Sequence, residues 1–180
     1  MQPDWPLRTE RLILRPWQDG DLDAFSEIHC DPEAARWLLN EPRDEASVRT
    51  HFEVKKNGVL LEEGDWMSCG AWAGDDLVAD ISFHWVSAEH RTGEIGYMTN
   101  RRFQGSGYAT EAARAILDWA FGEAGFRRVI GRLEPRNTAS ARVLEKLGMR
   151  KEAHFVENEW IKGEWQSEAV YAILEREWEA

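Results

Sequence analysis

The chain has 180 residues, enough for one domain with a substantial core, and its 22 Lys+Arg against 33 Asp+Glu give a formal charge of −11. That balance argues against nucleic acid as a partner and leaves either plain solubility or attraction of a cationic acceptor. Two cysteines make no disulfide framework and point to reduced thiols in a cytoplasmic protein; no basic-then-apolar leader and no membrane-length apolar run is present.

In chain order, Arg11–Pro16 reads as a short strand closed by a proline that cannot donate to a ladder. Asp19-Gly20-Asp21 then caps a helix with Leu22, Phe25 and Ile28 on one face. Asp31-Pro32-Glu33 starts a short turn or helix through Trp37-Leu38-Leu39, Pro42 interrupts it, and Asp44 opens a further helix carrying Val48, Phe52 and Val59-Leu60. Trp66–Ala73 and Leu77–Val86 form a hairpin about the turn Gly74-Asp75-Asp76, and Thr92–Thr99 is the next strand.

A glycine-punctuated loop follows, Arg102-Phe103-Gln104-Gly105-Ser106-Gly107, and runs into a helix whose small apolar face is Ala109, Ala112, Ala113, Ile116, Leu117, Ala120 and Ala124. Strand, glycine turn and helix together aim unpaired N–H groups and a helix dipole at one point, a receptacle for phosphate. A Walker loop would need Lys and Ser/Thr after the glycines, and a dinucleotide fingerprint would need a third Gly or Ala where Thr110 stands. Beyond Gly125, Arg128–Leu133 is a strand, and Glu134-Pro135-Arg136-Asn137 breaks it. Asn137 caps a helix with Ala139, Val143, Leu144 and Leu147 inward. Arg150–Trp160 and Trp165–Leu174 close the chain as a hairpin around Lys162-Gly163, and no linker divides the single domain, 1–180.

Arg102-Phe103-Gln104-Gly105-Ser106-Gly107 resembles the pyrophosphate loop of the GCN5-related N-acetyltransferases (GNAT). Arg136–Met149 resembles their Asn-x-x-Ser helix. Thr9–Pro16 and Glu94-Ile95-Gly96-Tyr97 are similar to the Rim-type branch, named for enzymes that acetylate ribosomal-protein N-termini. The resemblance implies an α/β fold, a mixed and mostly antiparallel sheet of six or seven strands with helices on both faces, splayed into a wedge between Glu94–Thr99 and Arg128–Leu133. It also implies acetyl-CoA as cosubstrate, a primary amine as acceptor (a peptide N-terminus or a small molecule), and a homodimer as an allowed assembly; no metal is expected, because His84 and His90 lie six apart and the other histidines are isolated.

Within that frame the pyrophosphate belongs to Arg102, Gln104, Gly105, Ser106, Gly107, Tyr108, Ala109 and Thr110, with Arg101, Arg136, Arg142 and Lys146 as further positive charge. The pantetheine arm would pair with backbone at Met98, Thr99 and Asn100 like an added strand, and Asn137 either bonds that arm or only caps its helix. Glu94 is the candidate proton relay from the amine, against the reading of an exposed strand carboxylate. Leu144 stands where many family members carry a tyrosine that protonates the thiolate, so Ser140 is the substitute candidate, against an ordinary helix-start serine. Arg36, Trp37, Trp85, Trp160 and Trp165 are candidates to wall the acceptor site between the early helices and the closing hairpin. Cys30 and Cys69 are not expected nucleophiles. An acyl-CoA-binding module without catalysis would keep Gly105, Gly107 and Asn137 but would not need Glu94 or Ser140, whereas another nucleotide-binding family is disfavoured by the absent lysine and third glycine.

Overall fold

The computed structural model describes residues 1–178. Eight strands form one sheet in the order β1-β2-β3-β4-β5-β6-β8-β7. They are β1 (Leu7–Arg8), β2 (Ile13–Arg15), β3 (Trp66–Ala73), β4 (Asp76–Ser87), β5 (Thr92–Thr99), β6 (Arg128–Leu133), β7 (Arg150–Ile161) and β8 (Glu164–Leu174). The count exceeds the expected six or seven because the stretch before Ile13 folds back as an edge strand, Leu7 opposite Leu14 and Arg8 opposite Ile13. Two-residue strands carry too little periodicity to be read from sequence. All neighbours are antiparallel except β5 and β6.

Strand alternation divides the sheet's two faces. On β4, Ala79, Ile81 and Phe83 point into the main core with Cys69, Ile95 and Val129, and the helix α4 (Tyr108–Gly122) covers them with Ala112, Ala113, Ile116, Leu117 and Ala120. Its alanines let helix and sheet approach closely. On the opposite face α1 (Leu22–His29) and α3 (Glu45–Lys56) bring Phe25, Ile28, Val48 and Phe52 against Trp17, Trp72 and Leu77. Asp44 caps α3 by accepting from the Ser47 N–H at 2.8 Å. Between these helices α2 is a single turn, Pro32–Ala35; Trp37–Leu39 lies outside it, and α3 ends at Lys56, so Leu60 is buried from a loop rather than a helix. The last helix, α5 (Thr138–Lys146), turns Leu144 inward, and Leu147 just beyond its end is buried too, but Ala139 is exposed rather than inward.

One break in the ladder matters most. β5 pairs with β6 only from Thr92 opposite Arg128 to Glu94 opposite Ile130, while β6 stays with β8 as far as Leu133 opposite Ala169. Beyond Glu94 the two strands part, and among the described residues the inner edge of Ile95–Thr99 has no ladder partner on the β6 side.

Candidate active site

The parted strands open onto a cavity of about 970 Å³ that runs from the N-terminus of α4 through the sheet to the helices α1–α3. At its α4 end the backbone is turned by Gly105 (φ 79°) and Gly107 (φ 82°), both left-handed, where a side chain would be strained. Among the described residues the N–H groups of Gly105, Gly107, Tyr108, Ala109 and Thr110 have no backbone acceptor. These five unpaired donors lie at or just before the positive end of a fifteen-residue helix.

The loop is held from behind by the chain's beginning. Glu111, one turn into α4, accepts from Thr9 Oγ1 at 2.6 Å, from the Arg11 N–H at 2.9 Å and from Arg11 Nε at 2.6 Å. Arg11 also donates to the Ser106 carbonyl at 3.1 Å and lies over the Tyr108 ring. These bonds hold Glu111 below the usual carboxylate range against the opposing effect of burial. Neither Thr9 nor Arg11 was a candidate from sequence, since their partner lies about a hundred residues away.

Across the wedge, Tyr97 on β5 donates its hydroxyl to the Ser140 carbonyl at 2.8 Å, fixing the first turn of α5 against the splayed strand. Burial pushes the Tyr97 phenol up, so it keeps its proton. Asn137 accepts from the Ser140 N–H at 3.1 Å, which realises its capping role, and both side chains border the cavity.

The other half of the cavity has a polar floor built on β4. Asp80 Oδ1 accepts from Ser68 Oγ at 2.8 Å, while its Oδ2 accepts from Lys55 Nζ at 2.7 Å and lies 2.9 Å from His29 Nε2. Burial opposes ionisation of Asp80, yet Lys55 and His29 hold it well below the usual carboxylate range. Burial lowers His29, and burial together with Arg43 lowers His51 to about 4, so both imidazoles are neutral at pH 7. Beside this floor Ser82 faces Gly96, whose missing side chain leaves room: a Cβ there would stand 2.8 Å from Ser82 Oγ. Asp80 is a charged position inside an apolar run, the single sequence sign of this cluster; its partners, 51, 25 and 12 residues away, meet it only in the fold.

The profile of the GNAT acetyltransferase domain matches residues 11–150. The chain belongs to the GNAT acetyltransferase family. It is 33% identical over 178 residues to the Bacillus subtilis protein named uncharacterized N-acetyltransferase YnaD, covering 96% of this chain and 98% of the relative. It is 23% identical over 183 residues to the Escherichia coli [ribosomal protein uS5]-alanine N-acetyltransferase, with 98% and 94% covered. A solved GNAT-family acetyltransferase from Bacillus anthracis superposes with a TM-score of 0.86 at 32% identity, covering 96% of this chain and 99% of that one.

Several expected site residues of this acetyltransferase border the cavity: Met98, Thr99, Gln104, Gly105, Gly107, Tyr108, Ala109, Thr110, Asn137, Ser140, Arg142, Arg36 and Trp37. Others point elsewhere. Arg102 reaches Glu27 at 3.7 Å and Asp76 at 3.6 Å, away from the wedge, and Ser106 meets Arg11 through its carbonyl. Asn100 is 4% exposed, its amide spent on Glu27 and the Leu77 carbonyl and its N–H on the Val78 carbonyl, so it is not free for a pantetheine arm. Arg136 is engaged by Glu134 at 3.0 Å and Glu164 at 2.8 Å, leaving Arg101, Arg142 and Lys146 at the cavity.

Of the tryptophans, Trp85 packs edge-on against Phe126 beside the main core, because alternation along β4 puts it on the α4-facing side with Ile81 and Phe83, before the β4–β5 irregularity. Trp160 and Trp165 pack edge-to-face on each other, 61% and 55% exposed, at the tip of the β7–β8 hairpin. The hairpin meets the acceptor side differently, through Lys162 Nζ, which donates to the Ala35 carbonyl at 2.7 Å. Glu94 is not among the residues bordering the cavity; it shares the β5 face of Gly96 and Met98 and lies 3.4 Å from the Nε of Arg132, which does border it. Burial raises its carboxyl against the pull of Arg132 and His84.

Proposed function

We propose that this GNAT acyltransferase moves an acetyl group from acetyl-CoA to a primary amine by direct attack, with both substrates held in one cavity. The observation that carries it is the through-going cavity, with a phosphate cradle at one end, a polar chamber at the other, and the unpaired edge of β5 between them. The cradle fits the cosubstrate: five free N–H groups at a helix start receive a pyrophosphate, and Arg101, Arg142 and Lys146 surround it. Acetyl-CoA supplies an activated thioester; everything else falls to the chain. The edge of β5 at Met98 and Thr99 orients the pantetheine arm, and Asn137 offers it an amide NH₂ while its oxygen caps α5.

Neither cysteine borders the cavity, and burial pushes both thiols up, which disfavours an acyl-enzyme route. Glu94, with its raised carboxyl, takes the proton from the amine directly or through water. Ser140 holds a proton for the departing thiolate. The Rim-type resemblance and the ribosomal-protein relative support a peptide N-terminus as one acceptor class, and small amines remain within the same chemistry.

Initial-rate kinetics with both substrates varied test the reading. Direct transfer gives double-reciprocal lines that intersect, whereas parallel lines would mean a covalent acyl-enzyme. The competing reading of a non-catalytic acyl-CoA module is favoured by none of these contacts; it predicts tight CoA binding with no thiol released in any amine panel.

A further inference from the structure

We infer that the chamber beneath α1–α3 is an anion subsite, and that the amine acceptor carries a carboxylate which Arg43 receives. The inference rests on the proposed acetyl transfer and names the acceptor's class.

On this side of the cavity Arg36, Arg43 and Lys55 are the cations, and Glu33 and Asp80 the anions. Glu33 stands 3.9 Å from Arg36, and Asp80 is bound by Lys55, His29 and Ser68. Asp80 is therefore engaged, while Glu33 lies at the exposed rim in a loose pair with Arg36. Arg43 remains. Its side chain makes no hydrogen bond or ion pair among the described residues, its Nε is buried, and the residue borders the cavity close to His51. An orphaned, buried guanidinium N–H is costly unless an acceptor arrives to meet it. Its planar fork suits a carboxylate above other acceptors.

The neighbourhood is built to keep that charge unanswered by the protein. The Arg43 N–H is fixed to the His29 carbonyl at 3.1 Å, so the side chain projects from an anchored backbone. The imidazoles nearest it are neutral at pH 7 and supply hydrogen bonds without competing charge. The chain's overall −11 favours cationic molecules at long range, yet the chamber itself carries one unopposed positive group. An amino carboxylate satisfies both, with its ammonium end toward the wedge and its carboxylate at Arg43.

The test is a matched panel at saturating acetyl-CoA: ω-amino carboxylates from glycine to 6-aminohexanoate and several α-amino acids, each against its own primary amide, with diamines of equal span. Wild-type kcat/KM for the preferred acid is expected to exceed that for its amide by about 10- to 100-fold, the range of a buried charge-assisted bond. Arg43→Gln is expected to bring that ratio towards one, chiefly by raising KM for the acid, and Arg43→Lys to restore part of it. A purely structural role for Arg43 would lower acid and amide alike. Equal use of acid and amide by the wild type, preference for diamines, no acetylation of any acid, or an unchanged ratio in Arg43→Gln overturns the inference. Acetyl-CoA binding is measured in parallel by calorimetry. If it binds and amides or diamines are acetylated without acid preference, this inference fails and the acetyl transfer stands; if acetyl-CoA does not bind, both fall.

Discussion

Asp80→Asn is the most informative single substitution, because it removes one charge from the buried floor while preserving shape. The Asp80 side chain is 1% exposed and its partners Lys55 and His29 are 12% and 4% exposed. Removing one partner of a buried ion pair costs about 3–5 kcal/mol, since the surviving charge stays desolvated. Lys55 retains some contact with solvent, so the lower end applies, about 3 kcal/mol. At roughly 2–4 °C per kcal/mol for a domain of this size, the melting temperature is expected to fall by about 6–12 °C at pH 7. Adding Lys55→Met, which removes the stranded ammonium, should recover much of that loss. The assay is thermal and urea unfolding followed by circular dichroism for wild type, both single variants and the double variant. The sign with pH is fixed too. Asp80 is depressed below its ordinary 3.8, so its contribution is fully present above that value and is lost as pH falls further, through the depressed folded value. The gap between wild type and Asp80→Asn should therefore narrow in strong acid. A shift under about 2 °C at neutral pH, well below the expected cost of an unpaired buried charge, would refute the claim that this pair is desolvated.

Other outcomes can be checked independently. Gly107→Val should abolish acetyl-CoA binding in calorimetry while the circular dichroism stays native, since a β-branched residue at φ 82° is strained by at least about 1–2 kcal/mol and crowds the free N–H groups. Glu94→Gln should lower kcat by about 10²-fold, the usual loss for a general base, and remove the acidic limb of the pH–rate profile with acetyl-CoA affinity little changed. That limb lies above the ordinary carboxylate range because burial raises Glu94, and Ser140→Ala should slow turnover without moving it. Arg11→Ala should raise the KM for acetyl-CoA by about tenfold, as the charge-assisted bonds holding the loop are lost. His51 is depressed to about 4, so the folded protein loses stability as pH drops from about 6.5 towards that value; His51→Gln should flatten this part of the stability–pH curve.

Local chemistry was legible in the chain by itself. The turn Gly74-Asp75-Asp76 between two apolar runs marks β3 and β4 as a hairpin, and helical spacing of small residues predicts α4, because each signal lies within a short stretch of chain. Gly105 and Gly107 announce the phosphate cradle, since left-handed backbone and close approach both select glycine. Asn137 announces a helix start for a reason equally local. Contacts across long sequence separation were not legible. The Glu111 lock on Arg11, the Tyr97 bond to Ser140 and the Asp80 cluster join residues 12 to 100 positions apart, and no periodicity encodes such meetings. The same limit explains the tryptophans, whose bulk marks them equally for core, site or surface. Only the tertiary structure sent Trp85 inward, left Trp160 and Trp165 exposed and placed Trp37 at the cavity. Sequence fixes which groups exist and how each short segment turns; which groups share a desolvated chamber depends on how the sheet splays and on what the helices bring over it.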